Sequence, residues 1–205
     1  MLEAIALECV RGDRRLFEDV SFSLQPGELL HVHGPNGSGK TSLLRMLCGL
    51  LAPAAGEVRW RGENIRSLRE EYNRELTYFG HLNAIKDEMN ALENLRVAIG
   101  LASRSIGDPE ALAALKRMGL AGRELLPTKV LSQGQRRRVA LARLLLAGSV
   151  LWILDEPLTA LDKAAVALMQ SLMGEHLRNG GMIIYTTHQD LDVDAPTIKR
   201  LELGS

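Results

Sequence analysis

A run of eight residues between positions 34 and 41 has the composition of a phosphate-binding loop. It matches G-x-x-x-x-G-K-[ST] throughout and reads Gly34-Pro35-Asn36-Gly37-Ser38-Gly39-Lys40-Thr41, with Ser42 next. Glycines let a short loop aim its backbone N–H groups at phosphate oxygens. Lys40 would reach the β- and γ-phosphates, and the hydroxyl of Thr41 is an oxygen ligand suited to Mg²⁺. These residues predict a nucleotide site.

Two carboxylates follow an apolar segment in the second half of the chain. Asp155 and Glu156 come directly after Leu-Trp-Ile-Leu at positions 151–154. Asp155 is placed to hold Mg²⁺ through water, and Glu156 can orient and polarise an attacking water, which is typically worth about 10²–10⁴ in rate. Alone, the pair could equally cap a helix or lie on the surface. The phosphate loop alone leaves a kinase, a GTPase and a motor ATPase open, so the pair narrows the choice toward hydrolysis.

The elements that must position these residues form an α/β pattern. The loop lies between a predicted strand at residues 28–33 and a predicted helix at 40–49, the context that a phosphate-binding loop requires. Other strands are predicted at residues 2–10, 17–24, 57–61, 76–79, 150–154, 182–186 and 197–203. A helix is predicted at residues 163–178, ended by Asn-Gly-Gly.

The middle of the chain, residues 82–147, is mostly helical in pattern. Asn90 and Glu93 have the spacing of a capping box, and Asp108 is predicted to cap a helix whose first residue is Pro109. Residues 120–130 are predicted to be a connector and 135–147 a helix. We therefore expect one domain over residues 1–205, with an α/β core at 1–81 and 148–205 and a helical insert at 82–147.

Composition excludes several classes of protein. The 205 residues carry 25 Lys and Arg against 25 Asp and Glu, so no basic excess favours nucleic acid or an anionic membrane surface. Two cysteines, Cys9 and Cys48, are too few for a disulfide framework and are expected to be buried in a protein of a reducing compartment. The first ten residues lack a basic stretch, and the run at 144–154 is too short to span a bilayer, so a soluble chain is expected.

Further segments resemble the ABC-transporter ATPases. Leu131-Ser132-Gln133-Gly134-Gln135 resembles their LSGGQ signature, Thr159-Ala160-Leu161-Asp162 their D-loop, and His188 their switch histidine. The resemblance covers essentially the whole chain. It implies a P-loop NTPase core of ABC ATPase type, with an antiparallel β subdomain and a helical subdomain that carries the signature.

The same resemblance implies a head-to-tail dimer that binds Mg²⁺ with ATP. ATP on one phosphate loop would be covered by the signature of the other protomer, Ser132, Gln133, Gly134 and Gln135. His188 would sense the γ-phosphate, and Asp162 would couple the two sites.

Two positions depart from the family pattern. His81 stands where these proteins have a Q-loop glutamine; it could contact Mg²⁺ or its water, or be non-catalytic. Arg11 stands where an aromatic residue stacks on adenine; a guanidinium can stack on a base, or this can be a solvated turn arginine. Arg136, Arg137 and Arg138 are read as a solvated helix face, with positioning of the signature helix as the alternative.

Several segments resemble the ATP-binding subunits of cytochrome c maturation, or haem export, systems. They are Gly80-His81, Ala91-Leu92-Glu93-Asn94-Leu95, residues 135–143, residues 151–157 and Thr186-Thr187-His188-Gln189. This resemblance implies integral membrane permease partners, contacted through residues 82–101, and a peripheral position on the cytoplasmic face of the bacterial inner membrane. No haem ligand is identified, and His31 and His33 are expected to be packed.

Three other functions are weighed. One is the ATPase subunit of another small-solute ABC transporter. The others are a non-transport ABC ATPase acting on DNA or ribosomes, and a nucleotide-dependent interaction module with little hydrolysis.

Overall fold

The computed structural model describes residues 1–102, 104–189 and 191–204. In chain order its elements are β1 (Leu2–Arg11), β2 (Arg14–Leu24), β3 (Glu28–His33), α1 (Lys40–Leu47), β4 (Ala55–Trp60), β5 (Glu63–Asn64), α2 (Arg69–Glu75), β6 (Leu76–Phe79), α3 (Ala91–Leu101), α4 (Asp108–Arg117), a 3-10 turn (Thr128–Val130), α5 (Gln133–Leu146), β7 (Leu151–Asp155), α6 (Lys163–Arg178), β8 (Met182–Thr186) and β9 (Thr197–Glu202). The predicted α/β class is confirmed.

A parallel sheet with the order β6-β7-β8-β3-β9 carries the site. Every residue of β7 and β8 is buried, as expected of central strands covered on both faces. Because the strands are parallel, their carboxyl ends share one edge. The loops that follow β3, β6, β7 and β8 therefore meet there, which is where open α/β sheets bind ligands.

The second sheet is antiparallel, with the order β2-β1-β4-β5. Its four strands include β5, which the sequence pattern did not predict because two residues are too short to show alternation. The predicted strand boundaries differ by two or three residues at β2 and β4, which begin at Arg14 and Ala55.

Apolar side chains from alternate positions of the parallel strands fill two cores. On β7, Leu151 and Ile153 pack on the side of α1 and the antiparallel sheet, whereas Trp152 and Leu154 pack on the side of α3–α6. The helical segment therefore shares one continuous core with the sheet. Each fully buried leucine in such a core contributes about 1.5–3 kcal/mol.

Of the two helix caps predicted in the middle of the chain, the structure confirms one and corrects the other. Asn90 Oδ1 accepts a hydrogen bond from Glu93 N (2.8 Å), and Glu93 Oε2 accepts one from Asn90 N (2.9 Å), so the predicted capping box is present. The cap predicted at Asp108 was wrong. Gly107 is the N-cap of α4 and Pro109 the second helical residue, because Gly107 N donates to Glu110 Oε2 at 3.2 Å.

Other helix boundaries differ from the predicted ones for identifiable reasons. Helix α1 ends at Leu47 rather than at residue 49, since Gly49 adopts a left-handed conformation with φ of 70°. Helix α5 starts at Gln133, two residues before the predicted start, because Ser132 caps it. Helix α2 was not predicted. Cys9 and Cys48 are buried and free, as expected. Within the described residues, no helix has both the length and the apolar character needed to cross a membrane.

Candidate nucleotide site

A cleft of about 510 Å³ opens at the carboxyl edge of the parallel sheet. Its lining comes from the loops after β3, β6, β7 and β8, the start of α1, the last residue of β7 and one residue of β2. The lining residues are Leu16, Asn36, Gly37, Gly39, Lys40, Thr41, Ser42, His81, Asp155, Glu156, Thr159 and His188. Most of the predicted phosphate and hydrolysis residues therefore share one cavity. Leu16 was not predicted, because a single apolar residue carries no spacing signal. Thr159 was assigned to the D-loop and not to the cleft.

The phosphate loop needs glycine at its two ends. Gly34 has φ of 141°, and a Cβ there would collide with the carbonyl oxygen of Leu203. Gly39 has φ of 101°, and its Cβ would lie 2.9 Å from Phe17 Cδ1. Lys40 is the first residue of α1 and donates to the carbonyl oxygens of Gly34 (2.7 Å) and Pro35 (3.0 Å). Its ammonium group is thus held against the loop, beside the positive end of the helix.

A chain of hydrogen bonds joins the phosphate loop to the carboxylates. Thr41 Oγ1 donates to Asp155 Oδ2 at 2.9 Å, and Thr186 Oγ1 donates to Asp155 Oδ1 at 2.9 Å. Asp155 is buried, so its charge is balanced by these donors rather than by water. Thr41 and Asp155 supply two oxygen donors side by side at the cleft, which fits the ligand preference of Mg²⁺.

Glu156 is the first residue after β7 and adopts a left-handed conformation with φ of 51°, unusual for a residue with a side chain. Its N–H donates to Thr186, to the carbonyl oxygen at 3.2 Å and to Oγ1 at 3.1 Å. Its carbonyl oxygen accepts from Arg137 Nη2. His188 Nε2 lies 3.5 Å from Glu156 Oε1. The carboxylate and the imidazole therefore face each other across the cleft.

Three predicted residues of the phosphate loop lie behind the cleft rather than in its lining. Gly34 and Pro35 present carbonyl oxygens to Lys40, and Ser38 N donates to Pro35 O at 3.2 Å. His81, the departure from the Q-loop pattern, does line the cleft. Arg11 does not; it is exposed at the end of β1, opposite Arg14.

The signature residues lie outside the cleft of their own chain. Ser132 Oγ accepts from Gln135 N (3.2 Å), and Gln135 Oε1 accepts from Ser132 N (3.0 Å), so the pair forms a capping box on the 14-residue helix α5. Gln133 and Gly134 form the first turn of that helix. A Cβ on Gly134 would lie 2.8 Å from the carbonyl oxygen of Ala160, so the signature packs closely against the loop before α6.

Asp162 ends that loop and caps α6. Its Oδ1 accepts from Ala165 N at 2.8 Å, and its Oδ2 lies 3.2 Å from Arg138 Nη2. Asp162 thus links α6 to the signature helix and, like the signature, does not line the cleft.

Reading the three arginines of α5 as a solvated face was wrong for Arg137. Its side chain is buried and contacts the loops after β6 and β7. The sequence spacing did indicate that Arg137 is buried. Arg137 precedes the buried Leu141 and Leu144 by four and seven residues and therefore lies on the same face of α5. Thr186, which binds the carboxylate of Asp155 and the backbone N–H of Glu156, was also not predicted as a site residue.

A second depression lies between β6 and α3. It encloses about 350 Å³, and its lining includes Tyr78, Lys86, Val97, Leu101 and Arg143. Leu101 is 83% exposed and Leu82, next to His81, is 81% exposed. We call this depression the α3 groove. It overlaps the predicted contact region at residues 82–101.

The chain is similar to known proteins in both sequence and structure. A family model for ABC transporters matches residues 17–159. The "Cytochrome c biogenesis ATP-binding export protein CcmA" of Nitrosospira multiformis is 59% identical over 98% of both chains. The protein of the same name from Nitrosomonas europaea is 57% identical, covering 100% of this chain and 96% of its own.

Among solved structures, an ABC transporter ATP-binding protein from Pyrococcus furiosus superposes with a TM-score of 0.84. It is 25% identical, and the match covers 98% of this chain and 96% of that one. The fold predicted from the resemblance is confirmed by this likeness.

Proposed function

The chain belongs to the ABC transporter family, and we propose that it is the ATP-hydrolysing subunit of a membrane complex for cytochrome c biogenesis that drives haem export or the release of a haem carrier. ABC ATPase domains bind ATP and hydrolyse it, so the reaction class follows from the family. The export role rests on the names of relatives that match the chain along almost its whole length.

The observation that carries the reaction is the convergence of Lys40, Thr41, Asp155, Glu156 and His188 on one cleft. ATP would lie with its phosphates on the loop at residues 34–42. Lys40 would exchange its carbonyl partners for phosphate oxygens, and Thr41 and Asp155 would hold Mg²⁺, which neutralises charge on the phosphates when bound.

Hydrolysis then depends on the groups beyond the phosphates. Glu156 would orient a water for in-line attack and accept its proton, and His188, 3.5 Å from that carboxylate, would contact the γ-phosphate. His81 lines the same cleft, so we assign it the Q-loop position, where its ring can donate or accept a hydrogen bond. Stacking of Arg11 on adenine stays a prediction.

A second copy of the chain would complete the site. Ser132, Gln133, Gly134 and Gln135 form the N-terminus of α5 but do not line their own cleft. The N–H groups of Ser132 and Gln135 bond within the capping box, so those of Gln133 and Gly134, in the first turn, would face the phosphate of another protomer. In a head-to-tail dimer each signature would cover the ATP of its partner. Asp162, paired with Arg138 of the signature helix, would couple the two sites.

The α3 groove is the surface that we assign to the integral membrane permease. It combines exposed leucine and valine side chains with a lysine and an arginine, a surface suited to an amphipathic helix. The loop from Lys86 to Asn90 at its edge is held against α3, because Asn94 Nδ2 donates to the carbonyl oxygens of Lys86, Met89 and Asn90. Docking there would place the chain peripherally at the cytoplasmic face of the bacterial inner membrane.

Affinity purification of the chain from bacterial membranes tests this function. The proposal expects membrane proteins of the cytochrome c biogenesis system to co-purify, and Mg²⁺-dependent ATP hydrolysis in the purified complex. Recovery of an unrelated permease would instead favour the ATPase of another small-solute transporter. Recovery of nucleic acid or ribosomes would contradict both.

A further inference from the structure

The guanidinium group of Arg137 joins the signature helix to two loops of the nucleotide cleft. Its Nη1 donates to the carbonyl oxygen of His81 (3.0 Å) and to Asn83 Oδ1 (2.8 Å), both in the loop after β6. Its Nη2 donates to the carbonyl oxygen of Glu156, and its Nε donates to that of Pro157 (3.3 Å), both in the loop after β7. One planar side chain thus spans the ends of two adjacent strands.

This arginine is a buried charge held by neutral acceptors. Its exposure is 3%, and Cζ lies 4.3 Å from the centroid of the Phe79 ring, the last residue of β6. Burial lowers the pKa of Arg137 to about 10, so the group still carries its charge at neutral pH. Its recorded hydrogen bonds go to three carbonyl oxygens and one amide oxygen rather than to a carboxylate.

The carbonyl oxygen of Glu156 is the acceptor that connects Arg137 to the proposed hydrolysis, because it belongs to the residue whose carboxylate would orient the water. Glu156 is in a left-handed conformation that costs a residue with a side chain on the order of 1–3 kcal/mol, and its neighbours must hold it there. Thr186 binds the N–H of Glu156, and Arg137 binds its C=O. The backbone that aims the carboxylate is therefore fixed on one side by β8 and on the other by the signature helix.

We propose that Arg137 is a positioning residue for Glu156. By binding the loops that carry His81 and Glu156 at once, it sets the direction of the Glu156 carboxylate toward the attacking water. Because Arg137 belongs to α5, a movement of the signature helix on dimer closure would be passed directly to that carboxylate. This inference rests on the proposed function, since it assumes that Glu156 assists ATP hydrolysis.

The test uses the complex purified with its membrane partners and compares wild type, Arg137→Gln and Arg137→Lys. In Arg137→Gln, kcat should fall on the order of 10- to 100-fold, the size of effect that misplacing a reacting group produces. The KM for ATP should change by less than about threefold, because Arg137 does not line the cleft. Arg137→Lys keeps the charge, but its kcat should also fall because one ammonium group cannot reproduce the planar fork.

Arg136→Gln is the matched control. Arg136 is the preceding residue of the same helix, but it binds the carbonyl oxygens of Thr128 (2.9 Å) and Lys129 (2.9 Å) and the carboxylate of Asp87, away from the cleft. The kcat of Arg136→Gln should stay close to that of wild type. Equal kcat in wild type and both Arg137 variants, or a loss explained wholly by KM, would overturn the positioning role.

A double variant separates positioning from general damage. If Arg137 acts through Glu156, adding Arg137→Gln to Glu156→Gln should lower the residual hydrolysis by less than about twofold, since residues that act as a unit are not additive. If Arg137→Gln lowers hydrolysis by as large a factor in Glu156→Gln as it does in the wild-type protein, the proposal is overturned. Absence of hydrolysis in both wild type and Arg136→Gln would overturn the proposed function, and this role with it.

Discussion

Thr41 Oγ1 donates a 2.9 Å hydrogen bond to Asp155 Oδ2, joining residues 114 positions apart in the chain. The bond connects the start of α1 with the end of β7. Both residues lie there because β3 and β7 are parallel and end at the same edge of the sheet. This bond places the phosphate loop beside Asp155 and Glu156, the carboxylates to which we assign roles in ATP hydrolysis.

The first prediction concerns ATP binding by Lys40. Its ammonium group stands against the phosphate loop, and a charge-assisted hydrogen bond contributes about 1.5–3 kcal/mol. Lys40→Ala should therefore weaken ATP binding by about 10- to 100-fold, as measured by titration calorimetry. Lys116→Ala, at an exposed position on α4, is the control and should bind ATP as wild type does. Equal affinity in all three proteins would remove Lys40 from the phosphate site.

The second prediction concerns the dimer. With hydrolysis blocked by Glu156→Gln, saturating ATP should shift the molar mass in light scattering from one chain to two. Adding Ser132→Arg should prevent the shift, because the larger side chain and its charge would disturb the cap of α5 at the proposed interface. A monomer in Glu156→Gln with ATP, or a dimer in the Ser132→Arg variant, would contradict the head-to-tail arrangement.

The third prediction concerns the α3 groove. Leu101→Glu puts a charge on an 83% exposed side chain of the groove lining, so the fold should be unaffected. Loss of an apolar anchor at an interface typically costs about 2 kcal/mol or more, so co-purification with the membrane partner should fall at least about tenfold.

Leu125→Glu is the control for the groove. Leu125 is 69% exposed and does not line the groove. Both variants should bind ATP normally. Partner recovery that falls equally in the two variants would show that the effect is not specific to this surface.

The fourth prediction concerns stability below neutral pH. His31 is buried on β3, its ring centroid 4.2 Å from that of Tyr185 and 3.4 Å from that of His33. Burial, and then the proximity of His33, lower the pKa of His31 from 6.5 to about 4. Between these two pH values the unfolded chain binds a proton at His31 that the folded chain does not bind. The contribution of His31 to the free energy of unfolding is therefore fully present above pH 6.5 and declines as the pH falls toward 4.

The loss attributable to His31 should reach up to about 3 kcal/mol near pH 4. Urea denaturation at several pH values measures it. His31→Gln cannot titrate, so its free energy of unfolding should decline less steeply between pH 6.5 and 4 than that of wild type. Parallel curves for the two proteins would show that His31 titrates normally in the folded state.

Local patterns in the sequence predicted much of the sheet and of the cleft. Residues 34–41 could be assigned from the sequence because few sequences are compatible with a tight turn, a phosphate-binding nest and a helix start together. Asp155 and Glu156 were recognisable because a buried strand precedes them. The cap of α4 was misplaced by one residue because Gly107 and Asp108 are both acceptable caps, and only the contact of Glu110 with Gly107 N decides between them.

Tertiary contacts account for what the sequence pattern did not predict. The burial of Arg137 depends on acceptors at residues 81, 83, 156 and 157, which come together only in the folded chain. The hydrogen bonds of Thr186 to the Asp155 carboxylate and to the backbone N–H of Glu156 have the same origin. Elements as short as β5 and α2 form because their neighbours are in place, not because their own periodicity requires them.

The most direct test of the central claim is the amount of haem covalently attached to c-type cytochromes in a bacterium that lacks its own ATP-binding subunit for this process. The wild-type chain, expressed with its membrane partners, should restore the haem-stained cytochromes. Glu156→Gln should assemble and bind ATP but restore none, because hydrolysis falls by about 10²–10⁴ when the base is lost. Full restoration by Glu156→Gln, or none by an ATP-hydrolysing wild-type complex, would contradict the account.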